Sequence, residues 1–243
     1  MNYYIITGTS RGIGKALAKY LGASPDNRII GISRAYSLSL QNYKHVEADL
    51  ADIPALLRNV DSLLEVPDDA TSVTLVNNAG TIGEIGHLGS ISDESIDYAM
   101  RLNVTSPMIL TNAFMRLFAN RNVAKCVINI SSGAARNAYD GWSSYCASKA
   151  ALDMLGMVLA QETALDESDM NVYSIAPGVV DTEMQARVRS SNGQGFRSKQ
   201  IFVDMKEKGQ LASPESVAEK LARVIQHPEE FGDLLIDFWE PAE

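Results

Sequence analysis

The chain has 243 residues, 46% hydrophobic and 21% charged, enough apolar content for a sizeable core. It carries 21 Lys and Arg against 30 Asp and Glu, a net charge of −9, which argues against nucleic acid or an anionic membrane as partner because both require a basic face. The two cysteines, Cys126 and Cys146, are too few for a disulfide framework, and His45, His87 and His227 show no metal-ligand spacing; with no basic leader and no apolar run of spanning length, a cytoplasmic protein without a metal is expected.

Short apolar runs alternate with helical patterns. In chain order the expected elements are a strand at Tyr3–Thr7, a helix at Gly12–Leu21, strands at Arg28–Ser33 and Lys44–Ala48, and a helix at Ile53–Glu65. A strand at Val73–Asn77 follows, then helices at Glu94–Leu102 and Pro107–Asn120, and a strand at Ala124–Ser131. A long helix at Ser143–Leu165, a strand at Met170–Ile175, a helix at Pro214–Gln226 and a strand at Leu234–Phe238 complete the pattern. Most strands are apolar throughout, as expected when helices cover both faces of a parallel sheet. The expectation is an α/β, single-domain Rossmann-type fold over residues 1–243, doubly wound, with about seven mostly parallel strands in the order 3-2-1-4-5-6-7. Only about ten residues, Arg34–Tyr43, join the second and third strands, so a crossover helix there should be short or missing. The stretch Arg187–Gly209, within a substrate-side segment 183–210, contains Gly193, Gly195 and Gly209 and reads either as mobile or as an ordinary surface helix.

The first strand runs into Gly8-Thr9-Ser10-Arg11-Gly12-Ile13-Gly14 and then a helix. Glycines in such a turn let a diphosphate approach the backbone at a helix N-terminus. An NAD site places an acid at the end of the second strand to hold the ribose 2′-hydroxyl. Here the strand ends Ile32-Ser33-Arg34, and Arg11 adds a second guanidinium. Two such forks suit a 2′-phosphate, so NADPH is expected over NADH; two solvated surface arginines are the alternative.

Tyr145 and Lys149 lie four residues apart on the long helix and share a face. An ammonium beside a phenol should lower its pKa from about 10 and make it a usable general acid. Ser131 and Ser132 end the fifth strand, Asn77-Asn78-Ala79-Gly80 ends the fourth, Asn103-Val104-Thr105 is expected to end the following helix, and Pro177-Gly178-Val179-Val180-Asp181-Thr182 follows the sixth. In an open parallel sheet these strand ends line one crevice.

Taken together, Thr7-Gly8, Gly12-Ile13-Gly14, Asn77–Gly80, Asn103, Ser132, Tyr145, Lys149 and Pro177-Gly178 resemble the short-chain dehydrogenase/reductase family over essentially the whole chain. The resemblance implies that Tyr145 protonates a carbonyl oxygen, Ser132 (rather than Ser131) polarises it, Lys149 tunes Tyr145 and binds the nicotinamide ribose, and Asn103 holds a water leading to Lys149. It also implies cofactor contacts from Gly8, Ser10, Arg11, Gly12, Ile13, Gly14, Ser33 and Arg34. Asp49 and Leu50 would lie by the adenine, Asn78, Ala79 and Gly80 by the ribose, and Pro177, Gly178, Val180 and Thr182 towards the nicotinamide. A homodimer or homotetramer packed through Pro107–Asn120 and Ser143–Leu165 follows from the same resemblance.

The run Ala176–Gln185, the ending Ile236-Asp237-Phe238-Trp239 and Gly141-Trp142 look like the sepiapterin reductase branch and the related bacterial benzil reductases. That likeness implies a small-molecule carbonyl substrate. Asp237 matches a pterin-anchoring carboxylate, although a strand-end aspartate capping a turn fits as well. Trp142 and Met184, with Tyr139, Phe196 and Phe202, form either a pocket wall for flat substrates or plain core. A β-ketoacyl or sugar reductase is the alternative substrate reading, and a non-catalytic NADP-sensing regulator the alternative class.

Overall fold

The computed structural model describes residues 1–191 and 195–239. Seven strands form one parallel sheet: β1 Asn2–Thr7, β2 Asn27–Ser33, β3 Tyr43–Glu47, β4 Ser72–Asn77, β5 Ala124–Ile130, β6 Met170–Ala176 and β7 Leu235–Asp237. Their order is β3-β2-β1-β4-β5-β6-β7, as the apolar runs led one to expect. Successive side chains on a strand point to opposite faces. Tyr4 and Ile6 therefore enter one core with Leu17 and Leu21 of α1 (Gly12–Leu21) and Val217 and Leu221 of α8 (Pro214–Gln226). Ile5, between them, enters the opposite core with Leu56 and Val60 of α2 (Ile53–Leu63), Leu110 and Phe114 of α4 (Ser106–Phe118) and Leu159 of α5 (Ser143–Leu165). Burial on both faces is why the inner strands carry no polar alternation, whereas the edge strand β3 (Tyr43–Glu47) is only partly covered.

Three features depart from the sequence pattern or refine it. The connection from β2 to β3, residues 34–42, contains no helix. The pattern around Asn103 is corrected: no helix ends there. Instead α3 (Asp93–Met100) runs through a π-helical turn, Arg101–Thr105, directly into α4. Pro107 has no N–H to give the Asn103 carbonyl its α-helical partner, and the Ser106 N–H bonds Arg101 instead, five residues back. The segment after β6 carries two helices, α6 Glu183–Ser190 and α7 Lys199–Glu207; α7 answers to the surface-helix reading of Arg187–Gly209, while α6 starts ahead of that stretch; Gly193, named with this segment, lies outside the described residues. A capping Thr182, whose hydroxyl accepts the Gln185 N–H, starts α6, and that signal is readable in the sequence. A third apolar cluster, with Ile82, Trp142, Tyr145, Val188, Phe196 and Phe202, packs these helices against the start of α5.

Candidate active site

The C-terminal ends of the strands open onto one cavity of about 610 Å³. Every site residue expected from the sequence lines it except Gly14 and Asn103, which stand immediately behind the wall. At one end lies the glycine loop. Gly8 and Gly12 have φ of +75° and +56°, a backbone that favours glycine. A Cβ on Gly14 would come within 2.4 Å of Asn78 Nδ2 and 2.5 Å of the Gly8 carbonyl oxygen, so α1 can start this close to β4 only with glycine here. Asn78 Nδ2 donates to the Thr7 carbonyl at 2.7 Å, and the Thr7 hydroxyl accepts the N–H groups of Asn78 and Ala79, both at 2.9 Å. The glycine loop and the end of β4 are thus one rigid unit.

Both arginines expected to select a 2′-phosphate line this end, and each has a protein partner. Arg34 Nη1 donates to the Tyr98 hydroxyl at 3.1 Å, and Arg11 pairs with Glu183 at the start of α6. Asp49 Oδ1 accepts the Ala51 N–H at 3.0 Å, which shapes the turn after β3.

At the other end, Lys149 is buried, and its Nζ donates to the Ile130 carbonyl at 2.7 Å and lies 5.7 Å from the Tyr145 ring centre. Burial lowers its pKa to about 8, against which the carboxylate of Asp153, one turn further along α5, raises it. Tyr145 is buried too, and burial raises its pKa; the Ser132 hydroxyl pulls the other way. The expected depression of the Tyr145 pKa by Lys149 is therefore not what the protein alone shows: burial dominates, and the group that lowers the Tyr145 pKa is Ser132. Ser132 Oγ accepts the Ala134 N–H at 3.1 Å, whereas Ser131 is buried with no partner for its hydroxyl among the described residues.

Asn103 faces Thr81 and Ser148. Its Nδ2 donates to the Thr81 carbonyl at 2.8 Å and to Ser148 Oγ at 3.0 Å, and its Oδ1 accepts the Thr81 N–H at 2.9 Å. Ser148 Oγ in turn donates to the Tyr145 carbonyl at 2.8 Å. The π-turn is thereby tied to both the β4 loop and α5. A Cβ on Gly80 would approach Asn103 Oδ1 at 3.3 Å and Lys149 Nζ at 3.8 Å, so the glycine keeps the space between them open.

Beyond Tyr145 the wall is aromatic. Trp142 stacks on Phe196 and Phe202, at 5.1 and 5.2 Å between ring centres, tilts against Tyr139 at 4.9 Å and meets Tyr145 edge-on at 5.7 Å. Tyr139, Trp142, Phe202 and Met184 reach the cavity and also form core; Phe196 stands behind them. Asp237 lines the cavity while its Oδ1 accepts the Trp239 N–H at 2.9 Å, so it caps a turn as well. Trp239, Tyr98, Asn137 and Glu183 also line the cavity and were not singled out from the sequence. Trp239 sits in the quoted ending, but nothing in the order of residues says that Tyr98 reaches across from α3.

Residues 2–193 match the family model for short chain dehydrogenases. The chain belongs to the short-chain dehydrogenase family. Its relatives narrow the branch. It is 36% identical to a benzil reductase ((S)-benzoin forming) of Bacillus cereus, over 94% of this chain and 96% of that protein. It is 32% identical to the sepiapterin reductase of Mus musculus, over 97% of this chain and 96% of that protein. Among solved structures, the KRED1-Pglu enzyme superposes with a TM-score of 0.78 at 27% identity, covering 93% of this chain and 95% of that one. Members of the short-chain dehydrogenase family are oxidoreductases that use a nicotinamide cofactor. The glycine loop fits such a dinucleotide: Gly8 and Gly12 line the cavity at the start of α1 and, having no side chains, leave the backbone there open to a diphosphate.

Proposed function

We propose that the protein is an NADPH-dependent carbonyl reductase of the benzil or sepiapterin type, working as one domain. The observation that carries this reading is the position of Tyr145, buried beside Ser132 between the glycine-loop arm of the cavity and its aromatic arm. When bound, the nicotinamide cofactor supplies the hydride. Tyr145, with its pKa raised, holds its proton through neutral pH and is the donor to the carbonyl oxygen. The Ser132 oxygen already accepts one backbone N–H, and its single proton, directed at Tyr145 in the free protein, would turn to polarise that carbonyl. Lys149 directs one of its three protons to Ile130 and has two left for the cofactor ribose hydroxyls. The Asn103 side chain is engaged by Thr81 and Ser148, so its main-chain carbonyl, deprived of an α-helical donor by Pro107, is the group that holds a water towards Lys149.

Arg11 and Arg34 supply positive charge at the 2′ side of the cofactor site, with no acid at the end of β2, and support NADPH over NADH. The aromatic wall and the 36% identity to benzil reductase favour an aromatic diketone. A pterin is the second reading, supported by Asp237 at the cavity. Filled positions at Tyr145, Lys149, Ser132 and Asn103 speak for an enzyme over a non-catalytic sensor of NADP. The test is a panel of sepiapterin, benzil, simple diketones and acetoacetyl thioesters with NADPH and with NADH. The reading expects benzil and NADPH to give the highest kcat/KM. A preference for thioesters, or for NADH, would overturn the corresponding part, and selective loss of sepiapterin turnover in Asp237→Ala would favour the pterin.

A further inference from the structure

The connection between β2 and β3 lacks the helix that ordinarily braces a parallel crossover, yet the glycine loop beside it is held firmly. On the β4 side Asn78 and Thr7 hold it; on the β3 side the group that reaches it across β2 is the Tyr43 side chain. Tyr43 opens β3, and its ring lies flat over β2 at Gly31, where a Cβ would come within 2.2 Å of the Tyr43 hydroxyl oxygen and 2.4 Å of its Cε2. No residue but glycine at position 31 leaves that path open. Having crossed β2, the Tyr43 hydroxyl meets Thr9 Oγ1 at 2.8 Å, inside the glycine loop after β1. Thr9 is fully buried. Its hydroxyl also donates to Ser33 Oγ at 3.5 Å, and its carbonyl accepts the Ser37 hydroxyl at 3.2 Å. The glycine loop, the end of β2, the helix-free connection and the start of β3 therefore converge on one threonine. Its neighbour Ser10, together with Ser33 and Arg34, lines the cavity, while Thr9 and Tyr43 stand behind the wall.

We propose that Tyr43 is a positioning residue for the dinucleotide site, a strut across β2 that sets the glycine loop through Thr9 in place of the missing crossover helix. The proposal rests on the reading of this cavity arm as the NADP(H) site. Tyr43 touches neither the reacting atoms nor the aromatic arm, so its removal acts on cofactor affinity and leaves the chemical step alone.

The test is direct titration of the full chain with NADPH and with NADH by calorimetry, alongside kcat at saturating cofactor and thermal unfolding. Tyr43→Phe keeps the ring over Gly31 and deletes only the hydroxyl. It should weaken NADPH binding roughly three- to ten-fold, the loss of about one hydrogen bond, with kcat and the KM for the carbonyl substrate unchanged. Thr9→Val, which deletes the other partner, should give a similar loss, and the double variant no further loss. Unchanged NADPH affinity in Tyr43→Phe, a lowered unfolding temperature as its only effect, or losses that add in the double variant would overturn the strut. Failure of the wild-type chain to bind either dinucleotide would instead remove the cofactor reading, and the strut with it.

Discussion

Lys149 and Asp153 show how one turn of helix tunes a site. Lys149 has its pKa lowered to about 8 by burial, and Asp153 resists that lowering. Asp153 is itself buried, and its nearest charge besides Lys149 is Arg136, with Nε 3.5 Å from Oδ2. Because kcat/KM reports groups of the free enzyme, reductase efficiency should fall as pH rises through about 8, where Lys149 loses its proton. Tyr145, raised by burial, stays protonated over that range, so the alkaline limb belongs to the lysine. Asp153→Asn removes the charge that favours the ammonium and should move the limb to lower pH. A limb that stays put or moves up in the pH profile of that variant would contradict the assignment. None of this tuning was readable from the Tyr-x-x-x-Lys spacing, which shows that the two side chains share a face and says nothing of how dry that face is.

At the scale of elements, the substrate side is held by α7 and by the loop before α5. The carboxylate of Asp140 accepts the Arg197 N–H at 2.6 Å and the Ser198 hydroxyl at 3.3 Å, and these bonds hold its pKa down. Gly141 and Gly195 touch backbone to backbone, and a Cβ on Gly141 would meet the Gly195 carbonyl oxygen at 2.4 Å. Asp140→Ala should loosen α7 and raise the KM for the carbonyl substrate several-fold while leaving NADPH affinity intact, which parallel kinetics and cofactor titration would check; a matched loss of cofactor affinity would place the effect elsewhere. Gly14→Ala should do the reverse. The new methyl group collides with Asn78 and Gly8, overpacking of this kind costs roughly 1–3 kcal/mol, and both the unfolding temperature and NADPH affinity should drop. The strands and α1, α5 and α8 were legible from apolar period, helped by the glycine turn before α1 and by the Ser213 cap and Pro214 at the start of α8. Helices α6 and α7 were legible only as one of two readings of Arg187–Gly209, because their polar, serine- and glycine-flanked run carries only a short apolar stripe (Val188, Phe202, Met205) that becomes visible once Trp142 is there to receive it.

For the molecule as a whole, the order of strands decides what meets. β1, β4, β5 and β6 end side by side, so residues as far apart in the chain as Gly8, Gly80, Ser132 and Gly178 surround one cavity. Strand-end glycines, hydroxyls and amides made that convergence legible in advance; the partners of Arg11 and Arg34 were not, since Glu183 and Tyr98 come from helices whose placement only the packed fold reveals. The outer faces of α4 and α5 expose Met108, Met154, Met157 and Val158. We propose that a second copy of the chain covers them, and that Met154→Asp with Val158→Asp yields a smaller species in light scattering; an unchanged mass would exclude this face. No helix among the described residues is long and apolar enough to cross a membrane. The most direct test of the central claim is the rate of NADPH oxidation by Tyr145→Phe with benzil, measured beside its NADPH affinity. Loss of the general acid should cost roughly 10²–10⁴-fold in kcat while the cofactor still binds; turnover close to that of the unaltered protein would contradict Tyr145 as the proton donor.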